Sequence, residues 1–291
     1  MTGPAAGNGG TSFKVACVQM TSSDSLAENI EAASATIREA AAAGAQLILT
    51  PENTPMMTLR RSESLAAAAP EEDHPAVAAF SALAAELGRW LLIGSSTVRL
   101  EPELCANRSL LFAPDGSVAG RYDKIHMFDV EIPDGQTYRE SKTFRPGREA
   151  VLAELPWGRL GMTVCYDLRF AALYRSLAQG GASFLSVPAA FTEFTGRAHW
   201  HVLLRARAIE TGCFVFAPAQ CGTHAGDRKT YGHSLIVAPW GEVLADGGEA
   251  PGFVTAEIDT AAVAEARRMV PALQHDRPFA PPRQELRQAG E

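Results

Sequence analysis

Ser109-Leu-Leu-Phe-Ala-Pro-Asp-Gly-Ser-Val118 returns 125 positions later as Ser234-Leu-Ile-Val-Ala-Pro-Trp-Gly-Glu-Val243. In both copies an apolar run of strand type reaches a Pro-x-Gly turn and then resumes, which is the pattern of a hairpin. The segments ahead of the copies are also alike. Before the first, 13–19 alternates as a strand, and Ser25 with Glu28 three residues on forms a capping box that starts a helix. Leu26, Ile30, Ala33, Ile37 and Ala40 give that helix one apolar stripe, and Gly44 sits at its C-terminal end. A short strand at 47–50, a helix at 75–87 and a strand at 90–98 follow. Before the second copy come a strand at 160–165, a helix at 171–179, a strand at 183–187, a helix at 198–211 and a strand at 214–217. The 13–50 stretch leaves room only for a parallel β-α-β crossover. The repeat thus predicts two similar α/β halves sharing one core, sheet packed on sheet between helical layers.

A last strand at 253–258 and a short helix at 261–268 complete one domain, 13–270. Residues 1–12 are expected to be a flexible tail, and 271–291 a C-terminal extension poor in apolar residues. The 291 residues are 46% hydrophobic and 20% charged, enough apolar material for a large core. A net charge of −7 argues against a nucleic-acid partner. No apolar stretch approaches the roughly 18 residues that span a bilayer, and the N-terminus lacks the pattern of a signal peptide, so a cytoplasmic protein without membrane partners is expected. Five cysteines at irregular spacing, with no CxxC pair, exclude a disulfide framework or zinc ribbon.

Chemistry concentrates where strands end. Gly161-Met-Thr-Val-Cys165-Tyr-Asp-Leu-Arg-Phe170 is an apolar strand that stops at a cysteine and turns at once into a polar helix start, the logic of a nucleophile elbow. Backbone N–H groups and the positive end of a helix at that point favour thiolate over thiol. Cys17, Cys105 and Cys213 read as core thiols. A nucleophilic cysteine needs a base and an oxyanion partner. Glu52 follows the 47–50 strand at the carboxyl edge, where α/β sheets keep ligands, and Lys124 is one of only four lysines. On the residues alone two blander readings stay open: Lys124 paired with Asp123 at the surface, and Glu52 capping the next segment. Glycine-rich phosphate loops and H-E-x-x-H are absent from the sequence. His199 and His201 project from different faces of one helix, so neither a cofactor nor a metal is expected.

Pro51-Glu52-Asn53, Tyr122-Asp-Lys124-Ile-His126, Glu140-Ser141 and Val164-Cys165-Tyr-Asp-Leu-Arg169-Phe170 together resemble the nitrilase superfamily of carbon–nitrogen hydrolases, in order and over about residues 13–280. The resemblance implies a four-layer α-β-β-α sandwich that forms a homodimer or a higher homo-oligomer. It also implies a catalytic set of Glu52, Lys124 and Cys165 supported by Glu140, with Lys124 and the backbone N–H of Tyr166 as the oxyanion hole. Asp129-Val-Glu-Ile-Pro133, the 198–211 helix, Gln220-Cys-Gly-Thr-His224 and Tyr231-Gly-His-Ser234 are most similar to the branch containing amidases for deaminated glutathione and ω-amidases. That branch implies a small 2-oxo acid amide as substrate, bound by Arg169, Phe191 and Thr195, with no cofactor. The first of the two activities is the expected one. An ω-amidase acting on 2-oxoglutaramate is the alternative, ahead of a carbamoyl or nitrile hydrolase. The intact Glu52, Lys124 and Cys165 weigh against a non-catalytic scaffold. A dianionic substrate meeting a chain of charge −7 needs local cations. Arg169 is assigned to its inner carboxylate, and Arg197, Arg228 or Lys229 to its outer one.

Overall fold

The computed structural model describes residues 12–58, 60–132 and 137–282. The 1–12 tail, apart from Ser12, and the last nine residues of the 271–291 extension lie outside the described residues, as does Pro133.

The first half runs β1 (Ser12–Gln19), α1 (Leu26–Ala42), β2 (Leu47–Leu49), α2 (Arg61–Ala67), α3 (Pro75–Leu87), β3 (Trp90–Glu101), β4 (Leu104–Phe112) and β5 (Val118–Asp123). A small hairpin, β6 (Asp129–Glu131) and β7 (Thr137–Arg139), links it to the second half. There follow β8 (Val151–Leu155), β9 (Gly158–Met162), a 3₁₀ turn over Cys165–Arg169, α4 (Ala171–Gln179), β10 (Ala182–Ser186), α5 (Glu193–Thr211) and β11 (Phe214–Ala217). The ribbon of β12 (Cys221–Thr223) and β13 (Lys229–Tyr231) precedes β14 (Leu235–Val237), β15 (Val243–Asp246), β16 (Gly252–Asp259) and α6 (Ala261–Met269).

The repeat is realised strand for strand. One six-stranded sheet has the order β16-β1-β2-β3-β4-β5, and the other, read from its far edge, β8-β9-β10-β11-β14-β15. In each, three central strands run parallel, and the quoted segments form the antiparallel hairpins β4–β5 and β14–β15. The last strand, β16, returns to pair with β1, so the C-terminal part of the chain completes the N-terminal sheet.

Period-two alternation sorts the side chains into layers. Val15, Cys17, Leu47, Leu49, Leu92 and Leu111 face inward and pack with Leu160, Met162, Leu185 and Phe216 of the second sheet. Their sequence neighbours Ala16, Val18, Ile48, Leu91, Ile93 and Leu110 face outward onto Ala33 and Ile37 of α1 and Phe80 and Leu83 of α3. Tyr174, Leu177, Trp200 and Leu204 bring α4 and α5 to the other sheet's outer face. The result is the expected four-layer α-β-β-α sandwich.

Local expectations differ from the structure in two places. The capping box at α1 is half made: Ser25 Oγ accepts from the Glu28 N–H, but the Glu28 carboxylate turns to Ser23 Oγ. α5 begins at Glu193 and not at 198, because Thr192 caps it through the Thr195 N–H. The start of the C-terminal extension is held against α4, where Arg175 and Gln179 bond Asp276 and Arg175 also bonds the Ala272 carbonyl.

At Gly94 in β3 the two halves are in tight contact. An added Cβ would overlap Thr50 O and Pro188 Cβ and lie 2.7 Å from Pro51 C. Gly94→Ala therefore forces apart the chain turns after β2 and β10, at a cost of about 1–3 kcal/mol for an overpacked core. Thermal melting should show a fall in Tm of several degrees, and turnover should fall further than stability, because Glu52 rides on the displaced turn. An unchanged Tm would mean that the turns are not in contact.

Candidate active site

Three strand ends meet at one cleft. β1, β2, β3 and β5 point the same way, so Glu52, just past β2, and Lys124, just past β5, leave the first sheet at a common edge. Cys165 leaves the second sheet just past β9. Its backbone sits at φ +47°, the left-handed strain expected of an elbow, and its N–H is fixed on Pro188 O at 2.9 Å. Glu140 enters from the 3₁₀ turn after β7. Glu52, Lys124, Glu140, Cys165, Tyr166, Phe191 and Thr195 all line the same cavity.

Lys124 is buried, and its Nζ lies 2.9 Å from Glu52 Oε1 and 3.0 and 2.9 Å from the two oxygens of Glu140. Asn107 Nδ2 donates to both carboxylates, at 2.9 Å to Glu52 and 3.0 Å to Glu140. Backbone N–H groups complete the shell, Ala190 to Glu52 Oε2 and Phe128 to Glu140 Oε2. The two blander readings fall: Asp123 pairs instead with Arg108, and the Glu52 carboxylate is spent on Asn107, Lys124 and the Ala190 N–H, none of them in the segment that follows it.

Burial alone would raise the Glu52 carboxyl, but the charge and hydrogen bond of Lys124 outweigh it and hold the group below the usual carboxylate range. Burial would lower Lys124, and the facing charges of Glu140 and Glu52 hold it up. For Cys165, burial and then the Glu52 charge push the thiol well above its usual value, against the pull of Lys124. The expected thiolate is therefore corrected. The turn at Cys165–Arg169 is a short 3₁₀ segment and α4 starts only at Ala171, so the helix terminus is outweighed by desolvation and a nearby carboxylate. The resting group is a thiol beside a carboxylate.

Two residues that sequence reasoning passed over tie the motifs together. Buried Asp167 accepts from Tyr122 OH at 2.6 Å, from the Val164 N–H at 2.9 Å and from the His126 N–H at 3.0 Å, with His126 Nδ1 at 2.7 Å. It thereby clamps the segment of Lys124 to the segment of Cys165. Asn107 bridges the two carboxylates. The only sequence signal for either was a polar residue within a strand or at a strand end.

Arg169 is not brought to the cleft wall. Its guanidinium stacks over the rings of Tyr166 and Phe191, at 5.9 and 5.1 Å, and meets His199 Nδ1 at 3.2 Å. Of the outer cations, Arg228 lines the cavity, whereas Arg197 and Lys229 lie on a separate surface groove and Arg197 is paired with Glu193. Arg61 and Arg139 also line the cleft, but each is paired with a carboxylate, Arg61 with Glu103 and Arg139 with Glu131.

His199 and His201 do point to different partners. Among the described residues, His201, His233 and Asp246 place ligand-type atoms within 4.8 Å of one another, outside the cleft, where each imidazole already faces the carboxylate. The five cysteines are free and buried.

Lys124→Met removes the charge that holds Glu52 down and leaves the burial that raises it. In the native protein Glu52, with its depressed pKa, contributes stability above the ordinary carboxylate value and loses it only as pH falls through the folded value. In the variant, Glu52 and Glu140 are unpaired at neutral pH, at a cost of about 3–5 kcal/mol, and protonation relieves it. The Tm deficit against the native protein should therefore narrow as pH is lowered from about 8 to about 5. A calorimetric deficit that stays constant over that range would contradict the ion cluster.

The profile of carbon–nitrogen hydrolases matches residues 14–268. The deaminated glutathione amidase of Yersinia enterocolitica is 41% identical over 266 residues, covering 90% of this chain and 92% of that one. The human protein of the same name is 41% identical over 275 residues, 91% of this chain and 82% of that one. The crystal structure of the Caenorhabditis elegans NitFhit protein superposes with a TM-score of 0.85 at 36% identity, over 91% of this chain and 65% of that longer one.

Proposed function

The chain belongs to the carbon–nitrogen hydrolase family, and we propose that it hydrolyses the amide of deaminated glutathione, releasing 2-oxoglutarate and cysteinylglycine. The observation that carries the substrate is the 41% identity, over nine tenths of the chain, to amidases of that name. Arg228, a cation of the cleft lining with no described carboxylate in contact, supports it, since a dianion must be drawn into a protein of charge −7.

The proposed chemistry follows from the protonation states. Glu52, held ionised, accepts the Cys165 thiol proton as Sγ forms its bond to the amide carbon. The oxygen gains the charge and is met by the ammonium of Lys124 and the N–H of Tyr166, whose place at the start of the turn leaves it without a partner inside that turn. Glu52 returns the proton to nitrogen as the C–N bond breaks, leaving a thioester on Cys165. A water deprotonated by Glu52 attacks the thioester, and as the S–C bond breaks Glu52 returns that proton to Sγ, restoring the thiol and the carboxylate. Glu140, bidentate on Lys124, positions the ammonium. Phe191 and Thr195 are the proposed substrate contacts on the wall.

We read 13–270 as the catalytic domain, 271–291 as an extension, and the molecule as a cytoplasmic homodimer or higher homo-oligomer. Among the described residues no helix is long and apolar enough to cross a membrane. Phe194, Val202 and Ile209 are exposed and, at about 100° per residue, fall within roughly 80° of arc on α5, a stripe suited to a second copy.

Deaminated glutathione and 2-oxoglutaramate, assayed side by side for 2-oxoglutarate and ammonia, test the substrate. Faster 2-oxoglutarate release from the former is expected, with a loss of at least about 10³-fold in Cys165→Ala. Preferential ammonia release from 2-oxoglutaramate would make the chain an ω-amidase, and no reaction with either would overturn the 2-oxo acid reading.

A further inference from the structure

The cleft's arginines are not equivalent. Arg61 spends its guanidinium on the carbonyls of Lys142 and Glu103 and on the Glu103 carboxylate. Arg139 spends its own on Glu131 and on Tyr138 O. Arg228, in the loop before β13, has no described carboxylate in contact. Its Nη2 donates to Ala190 O at 3.1 Å, its guanidinium lies 5.6 Å from the centre of the Tyr138 ring, and its Nε is buried with no hydrogen-bond partner among the described residues. A buried N–H on a cation left without an acceptor carries an uncompensated desolvation penalty. The arginine is therefore held at the cleft by one carbonyl and one ring, with donor capacity unspent.

Its position is tied to the reacting groups. Ala190, whose carbonyl holds Arg228, is the residue whose N–H holds Glu52 Oε2 at 3.0 Å. The single residue Ala190 thus stands between the guanidinium and the carboxylate that faces Cys165, and the Glu52–Lys124 pair stays intact beside it. Arg169, by contrast, is stacked on Tyr166 and Phe191 outside the cavity lining.

We propose that Arg228, braced by Tyr138 and the Ala190 carbonyl, is the carboxylate anchor of the cleft and selects amide substrates that carry a carboxylate. This rests on reading the cleft as that of an amidase for anionic 2-oxo acid amides. A carboxylate entering beside Tyr138 supplies the acceptor that Nε lacks, and the planar guanidinium can offer it two parallel N–H groups. The same carboxylate chemistry can come from the acyl part of the substrate or from its leaving amine.

The test compares 2-oxoglutaramate with its α-methyl ester, and deaminated glutathione with its glycine amide, in the native protein, Arg228→Met and Arg228→Lys. Arg228→Met should lower kcat/KM for the free-carboxylate member of at least one pair by about 10- to 100-fold, chiefly through KM, and by no more than about threefold for the member of that pair that lacks the anchored carboxylate. Arg228→Lys should recover part of the loss. A difference between members confined to the first pair assigns the acyl carboxylate, and deaminated glutathione and its glycine amide, which both keep that carboxylate, then lose alike; a difference between members confined to the second pair assigns the leaving-group carboxylate. Equal losses within both pairs, or no loss, would overturn the anchor; equal losses within both pairs with an upward shift of the acid limb would mean that Arg228 acts through Glu52 instead. Calorimetric titration of 2-oxoglutarate and glycylglycine separates this proposal from the substrate assignment. If the native protein turns over none of the four amides, weaker binding of either ligand to Arg228→Met at unchanged Tm still supports the anchor, and binding unaffected by the substitution overturns it.

Discussion

A lysine buried between two glutamates is the constraint on which the rest of this structure depends. Transferring three charged groups out of water costs several kcal/mol for each ion, and mutual attraction offsets that only when the remaining lone pairs and protons are satisfied. Here they are. Lys124 places its three N–H groups on Glu52 and Glu140, and Asn107, Ala190 N and Phe128 N close the carboxylates. Those partners come from β4, from the turns after β2, β5 and β10, and from the turn after β7. The cluster therefore exists only when both sheets are in register against each other, and the sandwich and the cleft form together.

The internal repeat explains why the cleft lies where it does. β2 and β10 are equivalent strands, as are β1 and β9. In the first half the turn after β2 carries Glu52, while its counterpart after β10 carries the Pro188 and Ala190 backbone groups that hold Cys165 N–H and the Glu52 carboxylate. The turn after β9 carries Cys165, while its counterpart after β1 carries Ser22, bonded to Gln220, which in turn holds the Glu52 carbonyl. Each half contributes what the other lacks. One half alone would carry either Glu52 or Cys165, but not both.

What was legible in the sequence was what is periodic or local. The bounds of α3, α4 and β11 follow from apolar spacing and terminal residues, and the repeated hairpin exposed the paired halves. What was not legible depends on partners distant in the chain. Asp167 meets His126 across 41 positions and Asn107 meets Glu52 across 55, and neither contact leaves a local pattern. The early start of α5 was hidden by Gly196, which reads as a helix breaker. It is required because a side chain there would overlap the Tyr231 side chain from β13, a contact no window of sequence contains. The thiolate expectation failed for a related reason: the helix terminus is a local feature, but the desolvation and the Glu52 charge that outweigh it belong to the assembled fold.

A protonated cysteine next to an ionised glutamate also resolves a difficulty in the proposed chemistry. In the free cleft all three N–H groups of Lys124 face carboxylates, so none is idle for an oxyanion. When Glu52 takes the thiol proton it loses its charge, and its hold on Lys124 weakens at the moment the substrate oxygen becomes negative. The negative charge moves from Glu52 to the oxyanion while the ammonium stays where Glu140 fixes it. Net charge in the buried cluster is unchanged through the step, so the low-dielectric interior is never asked to accommodate a new ion. A resting thiolate would instead place a third anion beside Glu52 and Glu140 before any substrate arrived. The raised Cys165 pKa is thus the condition under which a single ammonium can serve first the base and then the oxyanion.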